Sequence, residues 1–178
     1  MILTINEVCA RLNAIANHPA VLAHIAPGQP SIDLSGYVTP ANEIFLDGNN
    51  AGLFIHQGDG VFEPHWMFVS ARGKVAKHFT VVAISALFDK HPAATIIGHV
   101  PKAHMVARVM ARAIGCEPSA ESVDPYGRSC IVYKMERTRW VDLWAASDQW
   151  SAQACKPTQP ATPQKSTHRP QTAQVNAL

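Results

Sequence analysis

The stretch SARGKVAKHF, residues 70–79, lies between two apolar runs, HWMFV at 65–69 and FTVVAISALF at 79–88. The first run predicts a β-strand and the second an α-helix, so a short Arg-Gly-Lys turn joins the two. A helix N-terminus leaves backbone N–H groups without intrahelical partners and carries about half a positive charge. We therefore interpret this turn as a place where a diphosphate can bind without any acidic or catalytic side chain.

The side chains of the turn fit such a role. Gly73 would let the backbone approach a phosphate, and Arg72, Lys74 and Lys77 would add positive charge. A single glycine is a weak motif, however, and the alternative is that these cations only cover the exposed start of a helix. The interpretation therefore depends on the elements around the turn.

Upstream of the turn, the sequence predicts two short helices followed by antiparallel strands. Thr4 with Glu7 three residues later is a capping-box pattern, and Pro19 suits the first turn of a second helix. The stretch 27–40 is turn-rich and predicts an irregular connection. Strands are then predicted at 43–48, 51–57 and 61–70, with turns at 48–50 and 58–60 between them.

Downstream of the turn, the period of the apolar residues changes. The predicted elements are a helix at 74–90, a strand at 94–100, a helix at 102–115 that ends at Gly115, a strand at 128–137 and a helix at 138–150. An antiparallel meander that passes into a strand–helix–strand–helix unit predicts a mixed α/β (α+β) protein. Its central, mostly antiparallel sheet would be flanked by helices.

Composition limits the function classes. The 178 residues, 47% of them hydrophobic, predict one domain at 1–154 and a disordered Pro/Gln/Thr-rich tail at 155–178. A net charge of +2 does not by itself indicate nucleic-acid binding.

The four cysteines form no CxxC pair and the nine histidines form no compact ligand set, so we predict no metal site. The sequence has no signal-peptide pattern and no long apolar segment, which predicts a cytoplasmic protein without membrane partners.

The order of strand, Arg-Gly-Lys turn, long helix, strand and a helix ending in Ala-Ile-Gly-Cys resembles the GNAT superfamily of acetyl-CoA-dependent N-acetyltransferases over residues 40–137. In that family the loop reads Arg/Gln-x-x-Gly-x-Gly/Ala, and its amides hold the coenzyme A pyrophosphate. Arg72 matches the first position, whereas Val75 and Lys77 replace the two small residues. The resemblance implies a coenzyme A site formed by Val69, Arg72, Gly73, Lys74, Val75, Ala76, Lys77 and His104.

The second half of the resemblance concerns the later helix and the preceding strand. Family members often carry an asparagine where this chain has His104, and a tyrosine that protonates the departing thiolate where it has Ala111. An alanine cannot transfer a proton. The resemblance also implies a general base on the strand before the loop, where Glu63 and His65 lie on one face. The alternative for Glu63 is a solvated carboxylate at a strand edge beside Pro64.

Two functions stay open from the sequence. In the first, acetyl-CoA enters between the strands ending near Val69 and His99, and Glu63 takes the proton of an attacking small-molecule or protein amine. The acceptor pocket would then be built from the loops around 27–42 and 118–128.

In the second, the protein is a GNAT-fold assembly or interaction module without catalysis, similar to GNAT-like proteins of tailed bacteriophages. Its partners would be other phage structural proteins, and it would act in the host cytoplasm or the virion. Nucleic-acid binding through the basic tail is a weaker option, because the tail has no aromatic residue.

Overall fold

Six strands form one sheet in the order β1-β2-β3-β4-β6-β5, and helices cover both of its faces. The computed structural model describes residues 3–144, so the predicted tail and the end of the predicted last helix lie outside the described residues. The elements are α1 (Ile5–Ala16), α2 (Pro19–Ile25), a 3-10 turn (Ser35–Tyr37), β1 (Glu43–Asp47), β2 (Asn50–Gly58), β3 (Val61–Phe68), α3 (Gly73–Lys90), β4 (Thr95–Pro101), α4 (Met105–Ala113), β5 (Glu117–Val123), β6 (Ser129–Glu136) and α5 (Arg137–Trp144). No helix among these is long and apolar enough to cross a membrane.

The predicted helix ends are confirmed where a specific cap was named. Thr4 caps α1 in a capping box, in which its backbone N–H donates to Glu7 Oε2 over 2.7 Å. Gly115 ends α4 with φ +93°, and the N–H of Cys116 donates to the carbonyl of Ala111 over 2.9 Å. This 6→1 hydrogen bond is the Schellman arrangement, in which glycine tolerates the left-handed conformation.

Strand β5 is the element that the sequence analysis missed. Residues 117–123 were assigned mainly to a loop, and their sequence, EPSAESV, is almost entirely exposed on both faces. An edge strand of this kind carries no alternation of apolar and polar residues, because neither face is buried. Its position is fixed by the hydrogen-bond ladder to β6, from Glu117–Lys134 to Val123–Ser129.

Each face of the sheet has its own apolar core. Under α3 and α5 the buried residues are Phe54, Phe62, Val81, Ala83, Ile84, Leu87, Phe88, Ala94, Ile96, Ile114, Met135 and Trp140. Under α1 and α2 they are Leu12, Ile15, Ala16, Val21, Ala51, Leu53 and Met67. Trp140 is 4% exposed, so α5 is anchored in the first of these two cores.

The sheet opens between β3 and β4, its one parallel pair of neighbours. The two strands pair at Val61–Thr95 and Phe62–Ile96, and their described residues are not paired beyond that point. Strand β4 instead stays paired with β6 along its length, from Thr95–Glu136 to Pro101–Cys130. Pro64 lies where the strands separate, and proline has no N–H to donate to a ladder. We call the unpaired region between the C-terminal halves of β3 and β4 the gap; at its start the ring of Pro64 packs against Gly98, where a Cβ would lie 3.5 Å from Pro64 Cγ.

Gly52 on β2 leaves space for the ring of Trp66 on β3, the strand that borders this gap. A Cβ at position 52 would lie 2.7 Å from Cζ3 of Trp66, its cross-strand partner on β3. The indole is held by edge-on contacts with Phe54 and Phe79, at ring-centroid distances of 5.2 and 6.2 Å. Only a residue without a side chain fits beneath such a ring.

We expect Gly52→Ala to lower the free energy of unfolding by about 1–3 kcal/mol, because an extra methyl in a packed site forces its neighbours to shift. Denaturant unfolding followed by Trp fluorescence measures this change. Gly36→Ala is the matched control, since a Cβ there meets no atom within 4 Å. Equal stability of the two variants would contradict the role assigned to Gly52.

Candidate active site at the gap between β3 and β4

The predicted phosphate-binding turn is confirmed as a strand-to-helix connection. Arg72 is the N-cap residue of α3, and its own side chain makes no capping hydrogen bond within the described part of the chain. Gly73 follows with φ +52°, a left-handed conformation that favours glycine. The first turn of α3 therefore has no side-chain cap from Arg72, and the N–H of Val75 in that turn donates to the carbonyl of Arg72 over 3.2 Å.

The other predicted loop residues divide into exposed and buried positions. Arg72, Gly73, Lys74 and Val75 are exposed, with 63% of Val75 accessible, whereas Ala76 is 3% exposed. Lys77 is half-buried, and its Nζ lies 5.2 Å from the centre of the Trp144 ring on α5. A cation over an indole face is attracted by the ring quadrupole. The side chain of Lys77 therefore reaches toward α5.

The Arg72 guanidinium binds the loop itself. Its Nη1 donates to the carbonyls of Ala71 and Phe68 over 2.8 and 3.2 Å, and its Nη2 lies 3.4 Å from the carbonyl of Val69. The N–H of Ala71 donates to Oδ1 of Asn50 over 3.3 Å, and Asn50 is 8% exposed. The sequence predicts Asn50 only as part of the turn at 48–50 and gives no sign of this contact.

Glu63 and His65 lie on β3 beside the gap, on the face that α1 and α2 cover. His65 Nε2 is 3.7 Å from Glu63 Oε1, and Glu63 Oε2 accepts a hydrogen bond from Gln57 Nε2 over 3.1 Å. Although 38% of the His65 side chain is exposed, its Nε2 is buried and has no hydrogen-bond partner among residues 3–144. A buried polar atom without a partner is costly, and each one calls for an explanation. Within residues 3–144 the Nε of Arg108 and the hydroxyl of Tyr133 are also buried without a partner, but neither is paired with a carboxylate as His65 is with Glu63.

His99 faces this pair from the other side of the gap. The β3–β4 register pairs Val61 with Thr95, so continuing the same offset places His99 of β4 opposite His65. His99 Nδ1 is 2.9 Å from Ser122 Oγ of β5. From the sequence alone His99 is only the end of a predicted strand, because its position opposite His65 depends on the register between β3 and β4.

The surroundings of His65 keep its imidazole neutral. Burial lowers the pKa of His65 below 6.5, the neighbouring His99 lowers this pKa further, and Glu63 acts against both. A neutral imidazole at pH 7 can accept a proton, which a protonated one cannot. No group of three or more His, Cys, Asp or Glu side chains within 3–144 is placed to hold a metal ion.

His104, predicted as a coenzyme A residue, is the N-cap of α4. Its Nδ1 accepts a hydrogen bond from the Ala107 N–H over 3.2 Å, and its ring lies 4.8 Å from the ring of His24. Burial lowers the pKa of His104 first, and the charges of His24 and Arg128 lower it further. A direct role of His104 toward coenzyme A stays a prediction.

The lowered pKa of His104 predicts a loss of stability at acidic pH. Because the folded pKa lies below 6.5, the unfolded chain takes up the proton first, so stability is complete above that pH and falls below it. We expect His104→Asn, which keeps a capping oxygen and does not titrate, to reduce the fall in Tm between pH 7 and pH 5. An unchanged fall, measured by circular dichroism, would contradict this assignment.

The comparisons with known proteins concern the fold. No protein-family model and no curated protein matches the sequence. Among solved structures, an aminoglycoside acetyltransferase, AAC(6')-Ib, in complex with coenzyme A and kanamycin is 14% identical, with a TM-score of 0.60 over 82% of this chain and 97% of that one. A spermidine N-acetyltransferase from Vibrio cholerae is 12% identical, with a TM-score of 0.61 over 79% of this chain and 94% of that one.

A probable GNAT-family acetyltransferase from Chromobacterium violaceum is also similar, at 14% identity and a TM-score of 0.58 over 78% of this chain and 86% of that one. The chain therefore has the GNAT acyl-CoA N-acyltransferase fold, as predicted. Identities this low show the fold and not the activity. None of these three proteins is described as a phage protein, so the predicted likeness to phage proteins has no support among them.

Proposed function

We propose that the protein is an N-acyltransferase that transfers an acetyl group from acetyl-CoA to a small-molecule amine. The observation that carries the proposal is the buried, unpartnered Nε2 of His65 beside Glu63 in the gap between β3 and β4. The fold supports it, because the similar structures include acetyltransferases, and the aminoglycoside acetyltransferase among them is a complex with coenzyme A. A protein that used this scaffold only for packing would gain stability by filling that position with an apolar side chain.

The proposed binding of acetyl-CoA uses the backbone more than the side chains. The N-terminal turn of α3 would receive the diphosphate through its N–H groups, and the exposed ammonium of Lys74 would add charge. Gly73 leaves the approach to the turn open, since a Cβ there would meet no atom within 4 Å. Val75 is 63% exposed at this turn, so its side chain is not packed into the fold.

Acetyl-CoA supplies a thioester whose C–S bond breaks as the amine nitrogen forms a bond to the carbonyl carbon. The chain's part is to remove a proton from the amine as this bond forms. Glu63 and His65 lie on the α1–α2 face of the gap, so the amine would enter from that face. The neutral imidazole of His65 accepts the proton, and the Glu63 carboxylate stabilises the imidazolium that results.

Calorimetric titration with acetyl-CoA tests the proposal. We expect saturable heat with a dissociation constant between about 1 μM and 1 mM, the range of typical substrate affinities. Lys74→Ala should weaken binding by a few-fold because it removes one exposed cation from the turn, and Lys134→Ala on β6 is the control. No heat at millimolar acetyl-CoA would contradict the proposed function.

A binding role without catalysis is the second candidate. Its support is α4, which exposes 71% of Val106 and 58% of Val109 one helical turn apart, and which carries Ala111 where the family places its tyrosine. An exposed apolar stripe of this kind is typical of interaction sites. Under this candidate the protein would not bind acetyl-CoA, so the same titration separates the two functions. Partners in phage assembly are one version of this candidate.

A further inference from the structure

One guanidinium, that of Arg72, binds three carbonyls of the loop between β3 and α3. Three backbone carbonyls, those of Phe68, Val69 and Ala71, are gathered around the Arg72 side chain at 3.2, 3.4 and 2.8 Å. Because a guanidinium presents its N–H donors in a rigid planar fork, it can hold several acceptors in one arrangement. The contact between Arg72 and Ala71 is partly buried, which protects it from competition by water.

The direction of these carbonyls decides the direction of the N–H groups that follow them. A trans peptide unit is planar, and its C=O and N–H point in opposite directions. With the carbonyls of Val69 and Ala71 turned toward the guanidinium, the N–H groups of Ser70 and Arg72 are turned away from it. The N–H groups of Ser70 and Arg72 are thus on the side of the loop away from the guanidinium, where backbone N–H groups can attract an anion, while the N–H of Ala71 between them is bonded to Asn50.

A second contact fixes the loop from the neighbouring strand. Asn50 of β2 accepts from the N–H of Ala71 at 3.3 Å and donates to the carbonyl of Asp47 at 3.2 Å. Asn50 and Ala71 are 8% and 6% exposed, so this hydrogen bond has little access to water. The N–H of Ala71 is thus held on the β2 side, which fixes the peptide between the two carbonyls that Arg72 binds.

We propose that Arg72 and Asn50 are positioning residues that hold the β3–α3 loop in its anion-binding conformation before any ligand arrives, and that Arg72 is not itself a phosphate ligand. This inference rests on the proposed function for the identity of the anion, the diphosphate of acetyl-CoA. In this arrangement the positive charge of Arg72 is bonded to the loop carbonyls, whose oxygens would otherwise repel an anion. The positive charge that faces the phosphates would instead come from Lys74, which is exposed in the first turn of α3.

Hydrogen exchange of the ligand-free protein tests the positioning role. We expect Arg72→Ala to speed the exchange of the amides at 70–76 by about tenfold, as loss of hydrogen bonds totalling about 1.4 kcal/mol would do, while Tm changes little because Arg72 is exposed. Asn50→Ala should give the same local increase together with a lower Tm. Lys74→Ala is the matched control and should leave the exchange unchanged. Unchanged exchange in Arg72→Ala would overturn the inference.

Titration with acetyl-CoA at two salt concentrations separates positioning from direct contact. We choose 0.05 and 0.5 M NaCl because the Debye length falls from roughly 14 to 4 Å between them. If Arg72 positions the loop, Arg72→Ala weakens binding by the same factor, about five- to tenfold, at both salt concentrations. If Arg72 contacts a phosphate, the factor shrinks toward one at high salt, and the inference is wrong. If the parent protein binds no acetyl-CoA, the proposed function fails, whereas the exchange measurements still decide the positioning role.

Discussion

Replacing Glu63 with Gln is expected to lower kcat for acetyl transfer by roughly 10²- to 10³-fold, because its carboxylate supports His65, the group that accepts the proton, and a proton-transfer group contributes roughly 10²- to 10⁴-fold. The substitution is nearly isosteric, and a glutamine amide oxygen can still accept from Gln57, which now donates to Glu63 over 3.1 Å. What is lost is the negative charge 3.7 Å from Nε2 of His65. The imidazolium formed during the reaction would then have no counter-charge.

The measurement is the release of coenzyme A thiol with a panel of amines, at saturating acetyl-CoA. Glu121→Gln is the matched control, because it makes the same chemical change at an exposed position on β5, where the carboxylate pairs with Lys102 at 2.7 Å. We expect that variant to keep the parent kcat, and Glu63→Gln to keep the parent affinity for acetyl-CoA. A parent-like kcat in Glu63→Gln would show that its carboxylate takes no part in proton transfer.

The fold was predictable from the sequence because several local signals agree with one another. The capping box at Thr4, the turn at Gly73 and the stop at Gly115 each fix one element end, and the structure has all three. Strand β5 gave no such signal, since a strand exposed on both faces has no apolar period. Strand β5 forms because it pairs with β6, and no local sequence pattern encodes such a contact between separate elements.

The candidate site was predictable only in part, for a related reason. Glu63 and His65 are two residues apart on one strand, so their shared face follows from strand geometry alone. His99 and Asn50 reach the site from other strands, and their positions depend on register and sheet order. The sequence places Arg72 in the correct loop. Its guanidinium, however, binds carbonyls of that same loop, and a linear motif does not show this.

His65 gives the second large expected effect, and stability and activity should change in opposite directions. We expect His65→Leu to abolish most acetyl transfer because no imidazole remains to accept the proton. The same change should raise the free energy of unfolding by about 1 kcal/mol, because it removes a buried nitrogen that has no hydrogen-bond partner among the described residues. We expect a gain in stability no larger than this, since 38% of the His65 side chain is accessible to water.

The pH dependence of that gain identifies its cause. Burial holds the folded pKa of His65 below 6.5, so the parent loses stability as pH falls below that value, with Glu63 opposing and His99 reinforcing the shift. A leucine does not titrate, and the advantage of the variant over the parent should therefore widen from pH 7 to pH 5. His99→Leu is the control, because His99 already has a partner in Ser122 at 2.9 Å and its removal relieves no unpaired atom. If His65→Leu is instead less stable than the parent at every pH, the imidazole contributes to packing, and the functional explanation for its unpartnered nitrogen is wrong.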